Sequence, residues 1–254
     1  AYGADEITIA FTAAMAMLPA VILAPFIGII IDRIEFKKLM LTLLLIEISM
    51  TLSFIFINSL EYIWILMILI FLRSAAASML FSAEMTLFPK LVQGKMLKNT
   101  NEIHSIIWSI CYAMGMAVGG IATHYMGFDT AFAIDALLYS IAVLLLLGLK
   151  LSLEKIQHSD SNWQMFKNGF TYLIATPKIL HLILLHAAIG LTSFDALITL
   201  LADFQYKDFI AVPLAIGWMN ATRALGLMVG PFFISKIISK NNLHYFFILQ
   251  FLSI

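Results

Sequence analysis

Charge is scarce in this sequence. Only 12% of its 254 residues are Asp, Glu, Lys or Arg, against about 25% in an ordinary soluble domain. So little polar surface cannot cover a chain in water. With 62% hydrophobic residues and a mean hydropathy of +0.97, the solvent is lipid. Acids and bases balance at a formal net charge of zero, so no nucleic-acid partner is expected. Cysteine is almost missing as well: Cys111 alone excludes an internal disulfide and a cysteine-built zinc site. Motifs of enzymes and motors are also lacking. There is no Gly-x-Gly-Asp, no Gly-x-Ser-Gly, no His-Glu-x-x-His and no phosphate loop ending in Gly-Lys-Ser/Thr, so neither an enzyme nor an ATP-driven motor is expected. No cofactor and no metal site is expected; His181 and Asp195 share a helix face but lie about four turns apart.

What is present is a series of apolar runs separated by polar breaks. They cover roughly 7–31, 38–58, 62–84, 102–124, 129–150, 178–201 and 211–236, with another starting near 243. Each complete run has about the 20 residues that a bilayer helix needs. None alternates with a period of two, and helices satisfy their own backbone in lipid. The fold class is therefore all-α, a polytopic transmembrane helix bundle.

The basic residues fix an orientation. The breaks at 32–38, 85–101, 150–178 and 236–242 carry twelve Lys and Arg residues, whereas the alternate breaks carry only Lys207. The basic side is cytoplasmic. Residue 1 then lies outside and the first run crosses inward. Multi-span transporters generally begin inside, so one helix is expected before Ala1, and the chain is expected to be a piece of a longer protein.

The longest cytoplasmic break, 151–177, holds a helix-start pattern, Ser159-Asp160-Ser161-Asn162, followed by Trp163, Phe166, Phe170 and Leu173 at helical spacing beside Lys167. An amphipathic linker helix is expected there. It divides the chain into 1–150, an N-terminal bundle lacking its first helix, the linker 151–177, and 178–254, the start of a C-terminal bundle. Ala24-Pro25-Phe26-Ile27 and Gly230-Pro231-Phe232-Phe233 end two inward-running helices alike, a weak sign of repeated halves.

The break Gly28-x-x-x-Asp32-Arg33-x-x-x-Lys37-Lys38 resembles the motif between the second and third helices of the major facilitator superfamily. Phe36 stands where that motif has arginine. Leu18-Pro19, Pro25, Phe88-Pro89-x-Leu91-Val92, Asn101, Gly115-x-x-x-Gly119-Gly120 and Ala131-Phe-x-Ile134-Asp135-Ala136 are similar to the branch of enterobactin and macrolide exporters. The resemblance implies two pseudo-symmetric six-helix halves. The chain would cover about helices 2 to 8 and the start of 9, in a bacterial cytoplasmic membrane. It implies a gating role for Gly28, Asp32, Arg33, Lys37 and Lys38, with Asp32 as a latch, and a role in helix packing and switching for Gly115, Gly119 and Gly120.

Charges inside the apolar runs are the remaining signal. Arg73 lies about mid-bilayer in its run, where an unpartnered charge costs about 3 kcal/mol or more. The resemblance matches it to an arginine linked to proton coupling. Glu47 is also near mid-depth, and Asp135 and Asp195 sit nearer the outer ends of their runs. Glu47 or Asp135, with Arg73, is the expected proton-coupling site; the alternative is a structural ion pair. Asn220 and Arg223 share a face at helical spacing. With Asp195 they are candidates for the substrate cavity, where Arg223 suits an anionic solute or pairs with an acid.

The function expected from this is a secondary active transporter, a proton-coupled antiporter for a drug-like or siderophore-like small molecule, working as a monomer by alternating access. The alternative is an uptake carrier for a nutrient or metabolite on the same fold. The orientation can be checked in the full-length protein with Cys111 replaced by serine. A membrane-impermeant maleimide added outside should label Phe128→Cys and should label Gln93→Cys only after permeabilisation; the reverse pattern overturns the orientation.

Overall fold

The structure is a computed structural model that describes residues 5–150, 161–181, 183–184 and 195–237. Among the described residues every regular element is helical. Helix α1 runs Glu6–Arg33. Asp5 caps it, its carboxylate accepting from Thr8 N at 3.1 Å. Hydrogen bonds from Thr8 hold the Asp5 carboxyl below the usual carboxylate range. The cap's contribution is therefore complete above the usual carboxylate range and is lost as the pH falls through the lowered value beneath it. Arg33 sits in the last turn, where the helix dipole favours a cation. Two residues later α2 begins, Phe36–Ser53. A pair of 3₁₀ turns, Phe54–Phe56 and Leu60–Tyr62, leads into α3, Ile63–Leu91.

Gly94 turns the chain at φ 58°, and α4 follows as Lys95–Gly148. Its 54 residues would reach about 80 Å at 1.5 Å per residue, far beyond a hydrocarbon core of about 30 Å. The helix is broken at Gly127, where φ 82° and ψ 169° leave the helical region. A left-handed φ of this kind is open to glycine and strained for other residues. The break falls within the polar interval expected at 125–128, so α4 is two crossings joined by one glycine. Beyond it lie α5, Asn162–Ala175, α6, Asp195–Leu201, a π-helical turn, Ala202–Tyr206, and α7, Val212–Ile237. The run expected at 178–201 lies partly outside the described residues, and the one near 243 wholly so.

The helices α1 to α4 contain four stretches long and apolar enough to cross a membrane. Helix ends overrun the apolar runs: α3 continues from the expected 84 to Leu91, and α4 starts at Lys95 instead of 102. Hydropathy marks where a helix leaves the hydrocarbon, not where its hydrogen bonds stop.

By its contacts the chain forms two compact units, Ala1–Leu97 with Tyr125–Tyr172, and Lys98–His124 with Leu173–Ile254. In the first, α3 packs on α1 and α2. Ile27, Ile31, Leu39, Leu43, Ala76 and Ala83 form a buried cluster flanking the short turn between α1 and α2. Packing follows lipid rules. Among the described residues of both units, nine of the fifteen buried apolar residues are alanines, while Trp64, Leu144 and Leu145 stay largely exposed. Small side chains let helices approach, and the large ones face lipid. Hydroxyls along the spans return to their own backbone: Ser78 donates to Ser74 O and Ser82 to Ser78 O, each at 2.8 Å. That satisfies them without water.

In the second unit α4 and α7 touch backbone to backbone. A Cβ on Gly120 would lie 2.7 Å from Pro213 O and 3.1 Å from Gly217 Cα, and a Cβ on Gly217 would lie 2.7 Å from Met116 O. Gly115 and Gly119, expected to carry close packing, have open space where a Cβ would stand. Of the three glycines expected to pack, Gly120 makes this contact. Gly120→Ala should therefore destabilise the detergent-solubilised protein by about 1–3 kcal/mol, the usual cost of overpacking, while Gly115→Ala should not. Thermal unfolding of the two variants checks this; equal midpoints would place the contact elsewhere.

Candidate functional site

Three helices of the first unit each bring charge or polar groups to one point. Helix α2 supplies Glu47 and, one turn later, Thr51. The second arm of α4 supplies Asp135 and, one turn later, Tyr139. Helix α3 places Arg73 between them. Arg73 Nη2 donates to Asp135 Oδ2 at 2.8 Å. On its other side Arg73 Nε lies 3.1 Å from Glu47 Oε2. That second contact is an ion pair without the alignment of a hydrogen bond, and neither Glu47 oxygen has an aligned donor. Longer contacts complete the cluster: Thr51 Oγ1 donates to Asp135 Oδ2 and Arg73 Nη2 to Tyr139 Oη, each at 3.4 Å. The guanidinium also stands 5.8 Å from the Tyr139 ring centroid, within the range of a cation–π contact.

The two acids differ in access. The Glu47 side chain is fully buried, whereas that of Asp135 is 39% exposed. One carboxylate is sealed in the bundle and the other is open to the surroundings, with a shared guanidinium between them. Removing Arg73 would leave the buried Glu47 carboxylate uncompensated, a loss that typically costs about 3–5 kcal/mol. The position of these residues inside the apolar runs suggested Glu47 or Asp135 with Arg73, as a coupling site or an ion pair; both acids lie beside its guanidinium. Thr51 and Tyr139 were not anticipated. Each lies four residues beyond one of the acids on the same helix face, and that spacing was the available signal.

The other expected residues are distributed as follows. Gly28, Asp32 and Arg33 lie in the last turns of α1, with Asp32 exposed and open space beside Gly28. Arg33 Nη2 points at Met165 Sδ of α5, 3.7 Å away. The α5 helix starts where expected, Ser161 Oγ accepting from Gln164 N at 3.2 Å, and its Phe166 stacks on Phe26 of α1 with centroids 6.3 Å apart. Lys37 and Lys38 open α2. Lys38 is exposed, and Lys37 Nζ donates to Leu147 O and Leu149 O, both at 2.8 Å.

The second unit holds the remaining candidates. Asn220 of α7 is buried; its Nδ2 donates to Ile216 O at 3.1 Å while its Oδ1 has no hydrogen-bond partner. Arg223, one turn on, is half-buried. Asp195 begins α6, and its side chain lies outside the described residues. Among the described residues no group of His, Cys, Asp and Glu is arranged to hold a metal ion.

Comparison with known proteins gives this geometry a context. Macrolide efflux protein A of Enterococcus faecalis is 24% identical over 221 residues, covering 85% of this chain and 68% of that protein. Macrolide efflux protein A of Streptococcus pyogenes is 23% identical over 221 residues, covering 85% of this chain and 54% of that protein. The chain thus spans between about half and two thirds of the length of these relatives. No solved structure matches it significantly. The family model described as Major Facilitator Superfamily matches residues 1–253, and the chain belongs to that superfamily.

Proposed function

We propose that the chain is part of a proton-coupled exporter of a drug-like or siderophore-like small molecule, working by alternating access. The observation that carries this reading is the cluster Glu47–Arg73–Asp135. Two carboxylates and one guanidinium leave a net charge of −1 when all three are ionised, and one added proton brings the set to zero. An unbalanced charge is costly in a bilayer. The charged and neutral forms of the cluster therefore favour different surroundings, which is the requirement for a proton to bias a conformational equilibrium. Half-buried Asp135 offers an entry for that proton and buried Glu47 a second seat.

The names of the relatives support export as the direction. In this reading residues 1–150 and 178–254 belong to two bundles that rock about a central site, joined by the linker 151–177. Asp32 and Arg33 lie at the cytoplasmic gate, with residue 1 on the outer side of a bacterial cytoplasmic membrane. Asn220, Arg223 and Asp195 belong to the substrate path, and Gly120 to the packing that the switch must move. The transporter works as a monomer with no cofactor.

Cells expressing the full-length protein should accumulate less of a radiolabelled macrolide or catecholate siderophore, and a protonophore should abolish the difference. Asp135→Asn should reduce proton-driven efflux by about tenfold or more, within the usual span of a coupling free energy. Accumulation that expression leaves unchanged across these compounds would sink the exporter reading, and increased accumulation would make the protein an uptake carrier. Wild-type coupling in Asp135→Asn would remove that residue from the coupling site.

A further inference from the structure

Lys37 was expected to contribute charge to a gate, yet its ammonium is occupied within its own unit. Its Nζ donates two hydrogen bonds of 2.8 Å to the carbonyls of Leu147 and Leu149, at the C-terminal end of α4. The last carbonyls of a helix have no partner inside it, and a cation there also meets the negative end of the dipole. Lys37 is therefore a cap supplied by one helix to another.

The register of that contact continues along the two helices. Fourteen residues separate Lys37 from Thr51, and fourteen separate Asp135 from Leu149; Thr51 is paired with Asp135. Three residues separate Thr51 from Phe54, and three separate Phe132 from Asp135; Phe54 and Phe132 are in ring contact with centroids 5.3 Å apart. Every step forward along α2 is matched by an equal step back along α4. The cap, the charged cluster and the aromatic pair thus lie on one antiparallel seam, with the cap about 21 Å from the cluster at 1.5 Å per residue.

We propose that Lys37 is a positioning residue for the cluster: by holding the end of α4 it fixes the axial register of that helix against α2, and so keeps Asp135 on Arg73. The gate turn and the cluster are then mechanically one piece, since Lys37 lies in the first turn after the α1–α2 connection. The consequence for transport rests on the coupling reading above; the consequence for register does not.

The test uses the full-length protein with Cys111→Ser and the pair Phe54→Cys and Phe132→Cys at the far end of the seam. A short bis-methanethiosulfonate reagent reports their proximity. Lys37→Met keeps the aliphatic stem and removes the donor, and Lys37→Arg keeps a cationic donor. Cross-linking should slow by about tenfold in Lys37→Met, the scale of losing a charge-assisted hydrogen bond, and return in Lys37→Arg. With Asp135, Glu47, Arg73 and Tyr139 facing one another in the cluster, the pH of half-maximal efflux should move in Lys37→Met and return in Lys37→Arg. Wild-type cross-linking in Lys37→Met overturns the register role. Slowed cross-linking with an unmoved pH profile overturns the positioning of the cluster. If Lys37→Met does not accumulate in the membrane, Lys37→Leu, which also lacks a donor, is read in the same way. Failure of the coupling reading shows separately, as unchanged proton coupling in Asp135→Asn whatever the cross-linking rate.

Discussion

A single guanidinium in the middle of an apolar bundle dictates much of this structure. Arg73 cannot stay in lipid unpaired, and α3 carries no acid beside it. The counter-charges must come from other helices, and they come from two, Glu47 on α2 and Asp135 on α4. The apolar contacts around them, among Ile27, Ile31, Leu39, Leu43, Ala76 and Ala83, are non-directional and tolerate sliding, whereas these ion pairs have a required geometry. They select one arrangement of three helices from the many that would bury the same apolar side chains. With all three groups ionised the set carries one negative charge in excess.

Other polar groups sort around that constraint according to the distance they can reach. Serine and threonine hydroxyls need no partner helix, because the carbonyl four residues back is within range. The long side chain of Lys37 spans to the end of another helix and satisfies carbonyls that lipid leaves unsolvated. Arg33 turns outward to the thioether of Met165, while Phe26 and Phe166 stack beside it. Helix α5 thereby lies against the end of α1, instead of extending away from it.

The fold was largely legible because lipid imposes a coarse and regular code. Span length, the absence of charge and the bias of Lys and Arg each report on the bilayer, and Gly127 falls in the interval where charge and hydropathy require a break. The members of the cluster were legible for the same reason: Glu47, Arg73 and Asp135 are expensive where they sit, and expense shows in a sequence. Thr51 and Tyr139 were not, since a threonine or tyrosine costs little in a span and leaves no anomaly. Of the three glycines expected to pack, Gly115, Gly119 and Gly120, it is Gly120 that meets another helix. Gly119 and Gly120 both fit a small-residue stripe, and only the direction of approach of α7 decides which of them is covered. That direction depends on Gly217, about a hundred residues along the chain, and no local pattern contains it.

The Gly120–Gly217 contact carries a consequence for how the sequence can drift. Most tight contacts are side chain against side chain, so a larger residue on one side can be accommodated by a smaller one opposite. Here each glycine faces the main chain of the other helix, Pro213 O in one direction and Met116 O in the other. Main chain cannot be trimmed. A change at either glycine has no second-site partner that restores the fit, and the two positions are constrained singly, not as a covarying pair.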